Sequence, residues 1–536
     1  MKKRVLLFSP YSGIWAHSLS EAQLLAQLNP DEFEVIALNC GGAFVEHCAV
    51  RESLKIDLLD SARVRKPICN DCGACAKKIG KEFSFQQFWI EEIVTKVDRS
   101  EIDRLLLEVN EQNYSDFTYR GQPLGQLASY ETLIKFKKTS LDLNPHEFSF
   151  YRTCLKQAML SSVAVDRLLS IKTIDMSFVY SPQYSANIAA AKTLEDHNVP
   201  VYFVEGSSNI RERYSALRVW SWIDHKLVNP ALDYYTNSSA EPMSEDVKRV
   251  QGHLDELVKA SSYSVYSPRS NGLDVARHHG IDSSRSILLS TLSSYDEAFS
   301  ALVIGGFPPE KFYSNVFVNQ FEWIRELVDW VSKHSQYHLV IRLHPRDLPN
   351  KRESVVSEQS VLWNNLLTNL PSNVSVDHPD DKISMHDYFP VISALTTGWS
   401  STAIEGMLKN VPVVTYDKNL PSFPSSIHLT GNSKEEYFSN LERGIESGPN
   451  QEHSRDALNW LVFNFCEGTI RVKGRLVDQS WIARYRFVQI LFLACFKLLP
   501  SLGRQVDISL SRKYLSPDEE KFIKLVNKSA KNLFEV

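Results

Sequence analysis

The stretch that most constrains this chain is VISALTTGWSSTAIEGMLKNVPVVTYD, residues 391–417. Residues 391–395 are an apolar run of strand length. Residues 403–409 read as a helix and 412–416 as a second buried strand. Strand, loop, helix and strand in such close succession form the repeating unit of a parallel α/β sheet. The connecting loop holds Thr396, Thr397, Ser400, Ser401 and Thr402, so most of its side chains are hydroxyls. They collect at a helix start, where free backbone N–H groups and the helix dipole favour an anion. Thr402 and Glu405 also have the spacing of a capping box, which needs no ligand.

Just upstream, YHLVIRLHP (337–345) alternates as a strand does. Leu339, Ile341 and Leu343 fall on one face; His338, Val340, Arg342 and His344 fall on the other. Pro345 has no N–H and ends the ladder. Arg342 and His344 are therefore expected together at the carboxyl end of a strand, where open α/β sheets bind ligands. Residues 286–292 (SILLSTL) form a third strand, followed by Ser293 and Ser294 at the crevice edge. A basic strand end and a hydroxyl-rich one can converge on a phosphate or diphosphate.

The amino-terminal half repeats the pattern. Residues 4–9 are a strand, a turn leads into a helix reaching residue 28, and 33–39 is a second strand. Gly13 in the first loop permits close approach of a ligand or a helix. His17 sits in the first turn of that helix, facing either an acceptor or solvent. After a long helix (146–170), strand 174–180, helix 185–197 and strand 199–204 follow. Glu205-Gly206 ends that run. Glu205 is expected at the crevice, where desolvation raises a carboxyl toward a useful pKa for proton transfer. A carboxylate serving only a helix start is the alternative. Arg211 and Arg213 follow and could meet charge on an acceptor. Residues 83–141 read as a mostly helical insertion that could shape an acceptor site, and 219–228 as a further strand.

Five of the eight cysteines cluster early, as C-x7-C and C-x2-C-x2-C. Cys40, Cys48, Cys69 and Cys72 suit a tetrahedral structural zinc, with Cys75 spare. An iron–sulfur cluster also uses four cysteines, and reduced thiols without metal are the third reading. The apolar run at residues 5–8 is too short for a signal sequence, which favours a reducing cytoplasm. The net charge of −5 argues against nucleic acid as a partner.

No apolar run is long enough to span a bilayer. Beyond helices at 435–446 and 454–465, residues 481–499 (WIARYRFVQILFLACFKLL) are apolar with interspersed cations. They suit an interfacial membrane helix or a helix packed in the core, and packing is the preferred expectation. The expected layout is an acceptor domain at 1–240 and a linker at 241–285. A second Rossmann-like domain, carrying the hydroxyl-rich loop, follows at 286–450, then a helical extension at 451–536.

The Arg-x-His-Pro strand end, the Ser-Ser-Thr helix start and the acidic-Gly strand end resemble bacterial GT-B glycosyltransferases of capsule and lipopolysaccharide assembly. The resembling group includes capsular β-Kdo transferases, polysialyltransferases and, more distantly, CDP-glycerol transferases. The resemblance implies two Rossmann-like domains facing across a cleft and a nucleotide-sugar donor. It also implies a glycan or lipid-linked acceptor, and transfer that needs no metal. It implies phosphate binding by His344, Pro345, Ser400, Ser401 and Thr402, and an acid or base at Glu205 before Gly206. The chain departs from the family in having Val204 before Glu205 and Ser-Ser-Asn after Gly206. A polyol-phosphate transferase using a CDP-alcohol, or a non-catalytic nucleotide-binding member of the same machinery, would share the phosphate site.

Overall fold

The structure is a computed structural model. It describes residues 2–56, 61–221, 229–236, 242–260, 262, 265–350, 354–476, 486–511 and 516–536. The chain forms two compact units. The first comprises Met1–Thr132, Leu141–His225 and Glu467–Val536; the second comprises Leu133–Ser140 and Lys226–Cys466. The expected carboxyl-terminal extension is thus divided between them, and most of it belongs to the first.

The first unit is built on β1 (Lys3–Phe8), β2 (Phe33–Asn39), β3 (Gln86–Trp89), β4 (Met176–Tyr180), β5 (Val201–Gly206) and β6 (Ala216–Ser221). The spatial order is β13-β6-β5-β4-β1-β2-β3, where β13 is Ile470–Arg471. Strands β5 through β3 are parallel; at the other edge β6 runs antiparallel to both β5 and β13. Val5, Leu6 and Leu7 are all buried, because helices on both faces require near-continuous apolar strands. The long helix Pro145–Ile171 opens on a capping box between Asn144 and Glu147 with proline at its start. Phe522, Leu525 and Val526, near the carboxyl terminus, complete the same core as Phe178 and Tyr202.

The stretch 83–141 is mixed and mostly helical, as expected, and its one strand, β3, lies at the sheet edge paired with β2. Two expectations are corrected here. The strand expected at 199–204 runs on through Glu205 and Gly206, paired with Arg218 and Leu217, so Glu205 belongs to the ladder. The strand expected at 219–228 is β6, three residues earlier; residues 222–228 lie outside the described residues.

The second unit contains β7 (Ser286–Thr291), β8 (Tyr337–Arg342), β9 (Val374–Asp377), β10 (Ile392–Thr397), β11 (Val413–Thr415) and β12 (Leu429–Thr430), all parallel. Their order is β12-β11-β10-β7-β8-β9. The chain winds outward from β7 in one direction and from β10 in the other. This makes the gap between their carboxyl ends the topological switch point. Trp323, Leu339, Ile341, Trp363 and Tyr437 are buried in its core. Leu133–Ser140 joins this unit through fully buried Lys137. Its Nζ donates to the carbonyls of Leu348 at 2.9 Å and Val355 at 2.5 Å.

The α/β expectation with two largely parallel sheets holds. The core packing expected for 481–499 does not, over the part described. Helices Arg486–Leu498 and Pro500–Ser511 carry Phe487, Ile490, Leu491, Leu493, Leu498 and Leu502, and Leu499 joins them; each is about half exposed or more. Residues 481–485 lie outside the described residues. Among the described residues no helix is long and apolar enough to cross a membrane.

Candidate functional site

In the second unit the switch point is lined by hydroxyls. Thr291 ends β7, Thr397 ends β10, Ser400 and Ser401 lie in the loop beyond, and Thr402 opens the helix that follows. Thr291 Oγ1 stands 3.1 Å from Thr402 Oγ1, and Ser400 Oγ stands 2.9 Å from the same atom. Thr397 Oγ1 donates to the Thr291 carbonyl at 2.8 Å and accepts from the Ser400 N–H at 3.4 Å. Gly398 passes Tyr416 so closely that a Cβ there would sit 3.0 Å from the ring. Ser293 and Ser294 follow β7 and are buried. Ser294 Oγ donates to Asp296 at 2.8 Å, whereas Ser293 Oγ has no hydrogen-bond partner among the described residues.

The expected capping box between Thr402 and Glu405 is not formed. Ser401 is the N-cap, with no side-chain cap bond, and Thr402 already belongs to the helix. Glu405 is instead pushed up to about 7, chiefly by burial, with the charges of Arg342 and Lys409 opposing.

The cations behave differently from expectation. Arg342 ends β8 opposite Thr291, but its guanidinium is taken up by Asp377 and by the Ile383 carbonyl at 2.8 Å. It lies over the Tyr388 ring, 5.5 Å from the centroid. His344 and Pro345 fall beyond the last ladder residue, so the alternation that put His344 on the face of Arg342 no longer applies. His344 is half-buried, with its ring 5.7 Å from that of Tyr266, and its Nδ1 accepts the Arg346 N–H at 3.3 Å. Arg346 is fully buried and paired with Asp296 at 2.5 Å.

In the first unit a second polar cluster forms at the carboxyl ends of β4 and β5. The His17 ring lies between Tyr180 (4.5 Å between centroids) and Tyr214 (5.2 Å). Its pKa is lowered to about 3, first by burial and then by Arg213 and Arg475, so it is neutral at physiological pH. Glu21, one turn on, is pushed up to about 7 by burial. Tyr180 is raised by burial and then by the charge of Glu205, which places the carboxylate of Glu205 in the same neighbourhood. Glu205 accepts from Arg218 Nη2 at 2.6 Å. A Cβ on Gly206 would lie 2.5 Å from the Arg213 carbonyl oxygen, so the glycine answers close packing rather than a turn. The arginines whose charges bear on His17 are Arg213 and Arg475; Arg211 sits in the short turn Ile210–Glu212. Tyr180, Tyr214, Glu21 and Arg475 carry no sequence signal, since only folding brings their segments together.

The cysteines form a third group. Cys40, Cys48, Cys69 and Cys72 line one cavity, together with half-buried Trp89 and buried Arg51. Gly13 belongs here: its N–H donates to Cys72 Sγ at 3.1 Å, and a Cβ would lie 2.8 Å from Val50 and 3.2 Å from Cys72. The acceptor contact expected of Gly13 is therefore replaced by packing against the thiols. Burial pushes the thiol of Cys40 up to about 12, with Cys48 adding to it. Cys75 is fully buried in the apolar core and stays apart from the four.

No family model matches the chain, and no curated protein matches it. Solved structures do. KpsC β-Kdo 2,4 transferase of Thermosulfurimonas dismutans is 11% identical over 58% of this chain and 87% of its own, with TM-score 0.32. UDP-GlcNAc 2-epimerase of Neisseria meningitidis is 12% identical over 85% and 94%, with TM-score 0.25. The calicheamicin glycosyltransferase CalG4 is 12% identical over 91% and 98%, with TM-score 0.26. TM-scores this low leave the geometry of the sites to carry any functional reading.

Proposed function

We propose that the chain is a glycosyltransferase that takes a sugar from a nucleotide-sugar donor to a glycan or lipid-linked glycan of bacterial surface polysaccharide. The observation that carries this reading is the hydroxyl cluster at the switch point of the second unit: Thr291, Thr397, Ser400 and Thr402, with the unpartnered buried hydroxyl of Ser293 at the same strand end. Fixed hydroxyl donors meet the negative charge that builds on a departing nucleotide phosphate, and they do so without a metal ion. His344, Pro345 and Ser401 border that donor site. Arg342, already paired with Asp377, acts on it through the field rather than by direct contact. The acceptor is held by the first unit, beside His17, Tyr180 and Tyr214. Glu205 is the general base there, and Arg218 keeps its carboxylate oriented. Transfer of a polyol phosphate from a CDP-alcohol would use the same phosphate site.

Thermal unfolding with CMP, CDP, UDP or GDP tests the donor site. A nucleotide at 100 times its dissociation constant stabilises by about 2.7 kcal/mol. One nucleotide is expected to raise the melting temperature of the wild type, and the rise is expected to shrink in Thr402→Val and His344→Ala. Absence of any shift with all four would overturn the reading. CMP would identify a Kdo- or sialic-acid-like donor, CDP the polyol-phosphate reaction, and UDP or GDP an ordinary sugar.

The exposed apolar surface of Arg486–Leu498 and Pro500–Ser511, with Lys497 beside it, supports peripheral attachment to a membrane carrying the acceptor. Co-sedimentation with anionic vesicles tests it.

A further inference from the structure

The cysteine group is unused by the transfer reaction, and its spacing is informative. Cys40 opens the loop after β2, Cys48 holds the position before the short helix Ala49–Ser53, and Cys69 and Cys72 lie one turn apart on the helix Ala62–Phe83. All four line one cavity, and all are free thiols rather than disulfides. A tetrahedral zinc with Zn–S bonds of about 2.3 Å needs its sulfurs about 3.8 Å apart. Among the described residues, ligand atoms within 4.8 Å of one another are found for His47, Glu131 and Cys154, and for no three of these thiols. As they stand, no three of these thiols are close enough together to share one tetrahedral ion.

We propose that Cys40, Cys48, Cys69 and Cys72 ligate a cubane [4Fe–4S] cluster rather than a single zinc ion. A cubane places each thiolate on a different iron, at the corners of a wider tetrahedron than a mononuclear site allows. Two features of the cavity answer the charge of such a group. The first is a pair of backbone N–H groups aimed at sulfur: Gly13 donates to Cys72 at 3.1 Å and Phe44 to Cys40 at 3.4 Å. Such bonds to thiolate tune iron–sulfur centres. The second is Arg51. It is 3% exposed and lines the cavity, yet among the described residues its guanidinium donates only to the carbonyls of Phe44 and Val45. Its Nε has no partner among the described residues. A buried cation beside neutral thiols is uncompensated; beside a thiolate-bound cluster, which carries net negative charge, it is paired.

Loading is a ligand exchange without change of oxidation state. The four iron–thiolate bonds to a small-molecule carrier break and four to the protein form. The protons of the protein thiols pass to the departing carrier thiolates.

The test offers the full-length protein, under anaerobic conditions, a preformed [4Fe–4S] core carried by 2-mercaptoethanol thiolates, and in parallel zinc chloride. Iron and acid-labile sulfide near four each per chain are expected after gel filtration. So are the visible absorption of a thiolate-bound cluster and an electron paramagnetic resonance signal on reduction. Cys40→Ser and Cys72→Ser are expected to lose the cluster, whereas Cys75→Ala keeps it in full. Cys69→Ser, at a half-exposed position that leaves the fold intact by circular dichroism, is expected to retain a three-thiolate core with a changed resonance spectrum. Three results overturn the proposal: no iron retained by the wild type, uptake unaffected by Cys40→Ser and Cys69→Ser alike, or zinc bound through these cysteines in preference to the iron–sulfur core.

Discussion

His17 and Glu21 stand one helical turn apart, and burial acts on them with opposite sign. Burial keeps Glu21 protonated up to about pH 7, well above the ordinary 4.5. Between those values the folded protein holds a proton the unfolded chain has lost, so stability falls as pH rises through the window. For His17 the folded pKa is about 3 against 6.5. There the unfolded chain binds the extra proton, so stability rises with pH from about 3 to about 6.5. The shifts correspond at most to roughly 3 kcal/mol for Glu21 and roughly 5 kcal/mol for His17. Chemical denaturation across pH 4 to 8 is expected to show wild type losing stability relative to Glu21→Gln as pH rises. Relative to His17→Phe, which fits the same gap between tyrosines, wild type is expected to gain it. A pH-independent difference for either variant would contradict the burial that sets these values.

At the scale of elements, β5 illustrates how an extra two residues change a side chain's role. Because the strand continues to Gly206, Glu205 lies across from Arg218 and forms an ion pair with it. Gly206→Ala is expected to destabilise by about 1–3 kcal/mol, since the added carbon must displace the Arg213 backbone. An unfolding midpoint within error of wild type would show that the loop yields freely. Much at this scale was legible beforehand. Apolar alternation and runs located β2, β7 and β10 within a residue or two, and the long helix expected at 146–170 runs from Pro145 to Ile171. β3 was not legible, because QQFW is short, half-polar and only partly buried. The capping box at Thr402 failed for a local reason: Ser401 takes the cap position, and Thr402 turns its hydroxyl toward Thr291 and Ser400.

At the scale of the molecule, the helices Arg486–Leu498 and Pro500–Ser511 leave apolar side chains in solvent. Burying a leucine or phenylalanine yields about 1.5–3 kcal/mol each, so a few of them suffice for reversible attachment to an interface. Wild type is expected to pellet with anionic vesicles. The double variant Phe487→Glu, Leu498→Glu is expected to bind at least about tenfold more weakly, which corresponds to about 1.4 kcal/mol. Equal binding by both would dissociate this surface from membranes.

The sequence by itself determined the α/β class, most strands and their faces, and the hydroxyl loop, because period, apolar runs and turn chemistry act over a few residues. It marked Cys40, Cys48, Cys69 and Cys72 as a set, but could not space them. Tertiary structure decided which residues share a site. Gly13 went to the thiols because Cys72 returns from another helix to meet its N–H. Arg342 was committed to Asp377 because β9 lies beside β8. Tyr180, Tyr214 and Arg475 reached His17 from three distant segments. Glu467–Val536 joined the first unit because β13 pairs with β6 and Phe522 fills its core. These are contacts between residues far apart in the chain, and long-range pairing leaves no period in the sequence from which to read it.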